Sequence, residues 1–364
     1  ATGNYIDPSF LTSHVVPNNR ITYESTGGSS SSNPLSNAFD GDTGTFWVSN
    51  TANGNKFVNS LFISFPYKVR LEAILYDLFY TEVDSVRTFE GIPTRLKVFT
   101  ALGRGGYELQ GVFGLTPESN WSKVSIVLPS PSECDKVQLE FVEVNGNKIP
   151  RSAGFRFIQD YEIGPIPFSA APSAHNSNID IDAKIIASSE FSFVATSEKS
   201  GNPISNAFDN THTTYWVSSE INTDLYHNAI TVTFTQTTTL DAFLYDMAYS
   251  SGISKVHGGP IRLNVYSSKG DEVSELRVIY EETPIFSWRR LLFNFPHPIE
   301  CDKIDFEFVE ATGDLFFYND DLPHCTTGGL TLLRYIGNDF VSFTGVTGNY
   351  NNDNYVNSHK IDKS

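Results

Sequence analysis

Asn33-Pro34-Leu35-Ser36-Asn37-Ala38-Phe39-Asp40 recurs in the same chain as Asn202-Pro203-Ile204-Ser205-Asn206-Ala207-Phe208-Asp209. At the same offset, Thr45-Phe46-Trp47-Val48-Ser49 returns as Thr214-Tyr215-Trp216-Val217-Ser218, and Leu75-Tyr76-Asp77 as Leu244-Tyr245-Asp246. Farther along the spacing shortens by two. Pro93 and Arg95 match Pro260 and Arg262, Trp121 matches Trp288, and Glu133-Cys134-Asp135-Lys136 matches Glu300-Cys301-Asp302-Lys303. Self-similarity at so long a period means a structural unit written twice. The 364 residues therefore divide into a unit over 1–166, a second over 167–338, and a remainder, 339–364. The shortening falls between the Asp77 and Pro93 landmarks. That stretch reads as a variable surface loop, because insertions and deletions collect in loops.

Composition says what the unit is made of. The chain has 28 Phe, 17 Tyr and 4 Trp but one Met, a profile that fits pleated, half-buried strands better than helices. Residues 61–65, 94–99, 136–142, 230–234 and 303–309 alternate apolar and polar with period two, and Gly, Pro, Asn and Asp clusters separate them. Many short strands divided by turns indicate a sandwich or jelly roll. Residues 165–183, rich in Pro, Ser, Ala and Asn, read as the linker. The remainder echoes the start, with Thr347-Gly348-Asn349-Tyr350 resembling Thr2-Gly3-Asn4-Tyr5, and reads as a tail or the start of a further unit.

A net charge of −17, from 42 acidic and 25 basic residues, argues against nucleic acid, whose affinity rests on Lys and Arg neutralising phosphates. No segment reaches the roughly 18 apolar residues of a membrane-spanning helix. The N-terminal residues carry neither a basic start nor an apolar stretch, so no signal peptide is read there. None of the three cysteines has metal-ligand spacing. Cys301 and Cys325 are able to pair, which would leave Cys134 free. Asn120-Trp121-Ser122 is the one glycosylation sequon.

The stretch Asn37-Ala38-Phe39-Asp40-Gly41-Asp42-Thr43-Gly44-Thr45-Phe46-Trp47-Val48-Ser49 is similar to the early motif of coagulation-factor type C (discoidin-like) domains and of family 32 carbohydrate-binding modules. The later landmarks keep the family's order in both units: an apolar strand, a strand opening on Pro, a Trp before a strand, and a late strand closing on Gly. The resemblance implies an all-β chain of two tandem galactose-binding-like jelly rolls. In the carbohydrate-binding branch this loop ligates a structural Ca²⁺, and a hard cation takes six to eight oxygens from carboxylates and turn carbonyls. Carried over, the ligands are Asn37, Asp40, Asp42 and Thr45 in the first unit and Asn206, Asp209, Thr211 and Thr214 in the second. Two features depart from the pattern. Gln159 and Leu332 stand where the family carries a ligating Glu, and Asn210 stands where the motif has Gly.

Trp47, Trp121, Trp216 and Trp288 occupy matched positions beside strands and are expected in the cores. Binding is expected in loops at one end of each sandwich, where aromatic faces and hydrogen-bonding groups suit sugars. The candidates are Asn50, Asn55, Tyr80 and Arg87 in the first unit, and Asn222, Tyr226, His227, Tyr249, Lys255 and His257 in the second. No nucleophile elbow, zinc-protease motif, Walker loop or dinucleotide fingerprint is present, so a non-catalytic role is expected. The leading expectation is a pair of glycan-binding modules within a longer secreted or cell-surface protein. The alternatives are adhesion to protein or to phospholipid headgroups, for which Lys56, Phe57, Ile253 and Lys255 are the candidate loop-tip residues, and a spacer that binds nothing.

Overall fold

The computed structural model describes residues 11, 13–54, 57–83, 86–116, 121–161, 163–170, 184–211, 213–250, 253–285, 288–313 and 322–335. The segment 339–364, most of the expected linker, Asn55 and the sequon Asn120 lie outside the described residues.

The first unit runs β1 (Val15–Val16), β2 (Thr22–Ser25), β3 (Trp47–Val48), β4 (Ser60–Asp77), β5 (Tyr80–Val83), β6 (Val86–Phe89), β7 (Pro93–Ala101), β8 (Glu108–Gly114), β9 (Lys123–Val144), β10 (Arg151–Ser152) and β11 (Gly154–Gln159). The second runs β12 (Ser169–Ala170), β13 (Phe191–Ala195), β14 (Trp216–Val217), β15 (Asn228–Ser250), β16 (Ile253–His257), β17 (Pro260–Ser268), β18 (Glu275–Glu281), β19 (Arg290–Ala311) and β20 (Thr326–Arg334). The named strands pair antiparallel throughout.

The long strands make both layers. The register of β4 against β9 breaks between Ser64 and Val69, and that of β15 against β19 between Thr233 and Thr238. Strands that bend at such irregularities pass from one sheet to the other and form the corners of a sandwich. In the first unit β2, the start of β4, the end of β9, β7 and β8 form one layer, and β1, β11, the end of β4 and the start of β9 form the other. The second unit repeats this with β13, β15, β19, β17 and β18 against β14, β20, β15, β19 and β12. Period-two alternation puts one side of each strand between the layers, where Trp47 and Trp216 are fully buried. Each indole donates Nε1–H to the backbone, to Gly28 O and Ser197 O respectively.

Three expectations change here. Trp121 is 37% exposed rather than core, whereas Trp288 is half-buried and packs on the second unit's core, against the edge of the Phe168 ring. Both precede their strands, and only Trp288 reaches the core from there. Cys301 and Cys325 do not pair. All three cysteines are buried free thiols, Cys301 beside Thr238 in the sheet and Cys325 Sγ 3.4 Å from the Asn222 amide. The expected linker begins as part of the second unit, since Ile166 N donates to Ile279 O and Glu281 N to Ile166 O.

The two units meet face to face over buried polar groups. Arg20 pairs with Asp305, both nearly inaccessible, and Thr231 donates to the second Asp305 oxygen at 2.7 Å. Glu307, wholly buried, accepts from Tyr67 (3.1 Å), Tyr266 (3.0 Å) and Asn264 (3.1 Å), and His227 Nδ1 stands 3.4 Å from its Oε1. The Tyr67 and Tyr266 rings stack at 3.9 Å. Around them Lys68 N bonds Ser274 O, Asn19 and His227 exchange two hydrogen bonds, and Leu225 packs on Leu11, Val15, Ala73, Leu75 and Ile158.

Candidate functional site

The loops at the expected binding end rest on a latch that both units build alike. Asn53 donates to Phe141 O and accepts from Asn59 N at 2.9 Å and Asn59 Nδ2 at 2.7 Å. Asn222 donates to Phe308 O at 2.7 Å and accepts from Asn228 N at 2.9 Å and Asn228 Nδ2 at 2.8 Å. A buried amide that satisfies backbone groups is fixed in place, because leaving them unpaired is costly. Asn222 is therefore framework and not a ligand-contacting tip residue.

Two more expected ligand residues are inside the protein. His227 is 2% exposed because the 222–227 turn docks on the first unit, and His257, at the end of β16, is 0% exposed. Tyr226 is half-buried in the same docked turn, its N–H closing on Thr223. Tyr249 pairs through its backbone with Val256 in the β15–β16 hairpin. The side chains of Tyr249 and Lys255 lie outside the described residues.

The first unit's tip is open and differently furnished. Asn50 is exposed. On the β5–β6 hairpin the Arg87 guanidinium lies 4.3 Å from the Tyr80 ring centre and bonds Glu82 at 2.9 Å. Beside it, three residues form a group that the sequence reading missed. The Phe79 ring packs on Phe46 at 4.3 Å, and Arg151 stands over Phe79 at 5.2 Å while bonding Glu90 at 3.0 Å. Leu78 N binds Ser122 O at 2.8 Å, which brings exposed Trp121 alongside this turn. An arginine held by a carboxylate and an aromatic face offers fixed donors at little further entropic cost.

The second unit does not repeat this group. Tyr76 donates to Arg151 O and Tyr245 to Thr326 O, which matches Arg151 with Thr326. By the repeat, Phe79 corresponds to Ala248 and Glu90 to His257, so the ring, the guanidinium and the carboxylate are all absent. Divergence of Glu90, Arg151 and Phe79 between otherwise matched copies was the available sequence signal.

The 37–45 loop gathers oxygens. Thr45 Oγ1 lies 2.7 Å from Asp40 Oδ2, 3.0 Å from Asp42 O and 3.4 Å from Asn37 O. Asp42 N and Gly44 N close the turn onto the Asp40 and Asp42 carboxylates, and the Asn37 amide donates to Phe46 O. One hydroxyl proton serves one acceptor, so two of the three oxygens around Thr45 are left for a cation. These are oxygens of the kind a hard cation takes, though among the described residues no cluster of three or more acidic, His or Cys side chains gathers around them. In the second unit Thr211 N and Thr211 Oγ1 fill Asp209 Oδ1, Thr214 Oγ1 fills Oδ2, and Asn206 donates to Tyr215 O. Burial opposes ionisation of Asp209 slightly, but the bonds from Thr214 and Thr211 hold its carboxyl below the usual range. Asn210 replaces Gly41 without loss of the turn, since both sit at positive φ, 58° and 79°. Gln159 donates instead to Tyr161, and Leu332 lies in the core.

No family model and no curated protein matches the chain. Among solved structures it is similar to the CBM32-1 and CBM32-2 domains of Clostridium perfringens ZmpB, with 16% identity over 92% of this chain and 98% of that one and a TM-score of 0.38. It is also similar to the family 32 CBM of C. perfringens NanJ in complex with galactose (16%, 40% and 97%, TM-score 0.33). A fucolectin from striped bass serum matches at 9% identity over 88% and 98%, with a TM-score of 0.31. None of these likenesses bears on which residues touch a ligand.

Proposed function

We propose that the chain is a non-catalytic glycan-binding protein whose working site is the tip of the first unit. One observation supports this most directly: Arg151 is fixed between the Glu90 carboxylate and the Phe79 ring, in a turn whose backbone bonds the residue after exposed Trp121. Aromatic faces take the C–H side of a sugar ring, and an oriented guanidinium and carboxylate take adjacent hydroxyls. The second unit lacks this set and has its 222–227 turn engaged by the first, so it serves as a support. A glycan array probed with the whole chain should give signal that Arg151→Ala and Trp121→Ala each reduce by about tenfold or more, the size of one lost charge-assisted bond or stacked ring. No signal for the unaltered protein, with Ca²⁺ present, would sink the reading.

The first unit's loop is read as a structural Ca²⁺ site held by Asn37 O, Asp40, Asp42 O and Thr45. The ion would hold the turn rigid beneath Trp47. Binding to the folded state alone stabilises by about 2.7 kcal/mol at a hundredfold excess over Kd. Calorimetry should therefore show the melting temperature rising with Ca²⁺, and Asp40→Ala should remove the rise while Asp209→Ala leaves it. An unchanged melting temperature in EDTA rejects the site.

A further inference from the structure

The turn Asn145-Gly146-Asn147-Lys148 packs on Glu90 at the tip of the first unit. Asn145 ties it down on both sides of Glu90, donating to Phe89 O at 3.0 Å and accepting from Ile92 N at 3.0 Å. Gly146 lies so near that a side chain there would meet Glu90 Cγ at 3.0 Å. Lys148 N closes the turn on Asn145 O at 3.4 Å, and the latch residue Asn53 donates its own N–H to Lys148 O at 2.8 Å. Farther along the same segment, Arg151 bonds Glu90. Lys148 thus belongs to the frame that positions the Arg151–Glu90 pair.

Two features set Lys148 apart. Its φ is 62°, in the left-handed region that glycine enters freely and a residue with a Cβ enters at a cost. Backbone strain of this kind gathers at binding sites, where the surrounding structure over-determines it. Lys148 is also exposed, and no carboxylate among the described residues pairs with it, whereas Arg151 has Glu90, Arg87 has Glu82 and Lys123 has Asp77. Those three cations are neutralised, and Lys148 is left in excess. The second unit supplies the contrast. Its latch runs from Asn222 N to Pro323 O, which sets Pro323 at the place of Lys148. Proline holds φ near −65° and carries no charge, so that position has neither the left-handed turn nor the cation.

We propose, on the reading of this tip as the glycan site, that Lys148 makes it select glycans with an acidic group, a carboxylate or a sulfate, next to the sugar ring held by Arg151 and Glu90. Set against the Arg151–Glu90 pair alone, an acidic group meets no net attraction, and Lys148 supplies it. An ammonium is a compact charge with rotatable donors, suited to either acid. The chain's charge of −17 does not cancel this attraction, because at physiological salt charges beyond about 8 Å are largely screened. It does disfavour polyanions, which would reach over more of the acidic surface, so the ligand carries a single acidic group among neutral sugars.

A glycan array probed with the whole chain tests this with matched sets, each neutral hexose beside its uronic acid and its sulfate ester. The unaltered protein should favour an acidic member over its neutral counterpart by about fivefold, the upper range for one exposed charge pair. The two acidic arms show which group is read. Lys148→Gly and Lys148→Asn should each abolish the preference, and Lys148→Arg should keep it. Glycine and asparagine both take the left-handed turn, so the melting temperatures of those two variants should stay level or rise. A lost preference then reports the charge and not a collapsed loop. Equal signal on acidic and neutral members overturns the inference and leaves the glycan site standing. So does an acidic preference that Lys148→Gly and Lys148→Asn retain. No signal on any sugar overturns both.

Discussion

Arg20→Ala should cost the protein about 3–5 kcal/mol, because it leaves Asp305 unpaired inside the contact between the units and strips Glu307 of a nearby positive charge. Chemical denaturation would read the loss. The single transition of a tightly coupled pair should also separate into two, since the units would then unfold without each other's support. A variant as stable as the parent would mean that the contact contributes little. Acid probes the same cluster. Burial alone would raise the Glu307 carboxyl, but contact with His227, the charge of Arg20 and the Asn264 amide outweigh it and hold the value at about 2. An unfolded glutamate titrates near 4.5, so the stabilisation is fully present above that pH and is lost as pH falls toward 2. Its size is about 3 kcal/mol for a shift of this width. Glu307→Gln should flatten that part of the stability–pH curve.

Much of the architecture was legible because the physics behind it is local. The alternation in residues 61–65 and 230–234 marks strands, and the repeated motif places one indole between the layers of each unit, Trp47 and Trp216. The contact between the units was not legible, because period-two alternation reports only which side of a strand leaves its own core. Asp305 and Glu307 alternate with the inward Phe306 and Phe308, as solvated residues do, and the first unit makes them interior. The loop around residues 222–227 misled for the same reason: Tyr226 and His227 read as ligand-facing tip residues, whereas their turn docks on the first unit through Leu225 and His227. A signal did exist, since Leu225 is an apolar side chain at a loop tip and Tyr67 stands where the second unit has Gln236. The tip group was hidden by distance along the chain. Phe79, Glu90, Trp121 and Arg151 come from separate loops, and no spacing rule links them.

The four tryptophans separate these two kinds of information most sharply. Trp216→Ala should destabilise by about 3–5 kcal/mol, because it removes a fully buried indole, its contact with Phe308 at 5.8 Å and its bond to Ser197 O. Trp121→Ala should change stability by no more than about 0.5 kcal/mol, the ordinary size of a surface substitution. On a glycan array the order reverses. Trp121→Ala should lose binding while Trp216→Ala, assayed below its lowered melting temperature, keeps it, since the second unit's indole faces its own core. Equal losses of stability from the two substitutions would place Trp121 in the fabric of the first unit and remove it from the binding surface. Equal losses of binding would mean that the tip is sensitive to the packing of the unit beside it, and the working site would then extend across the contact that Arg20 and Glu307 hold closed.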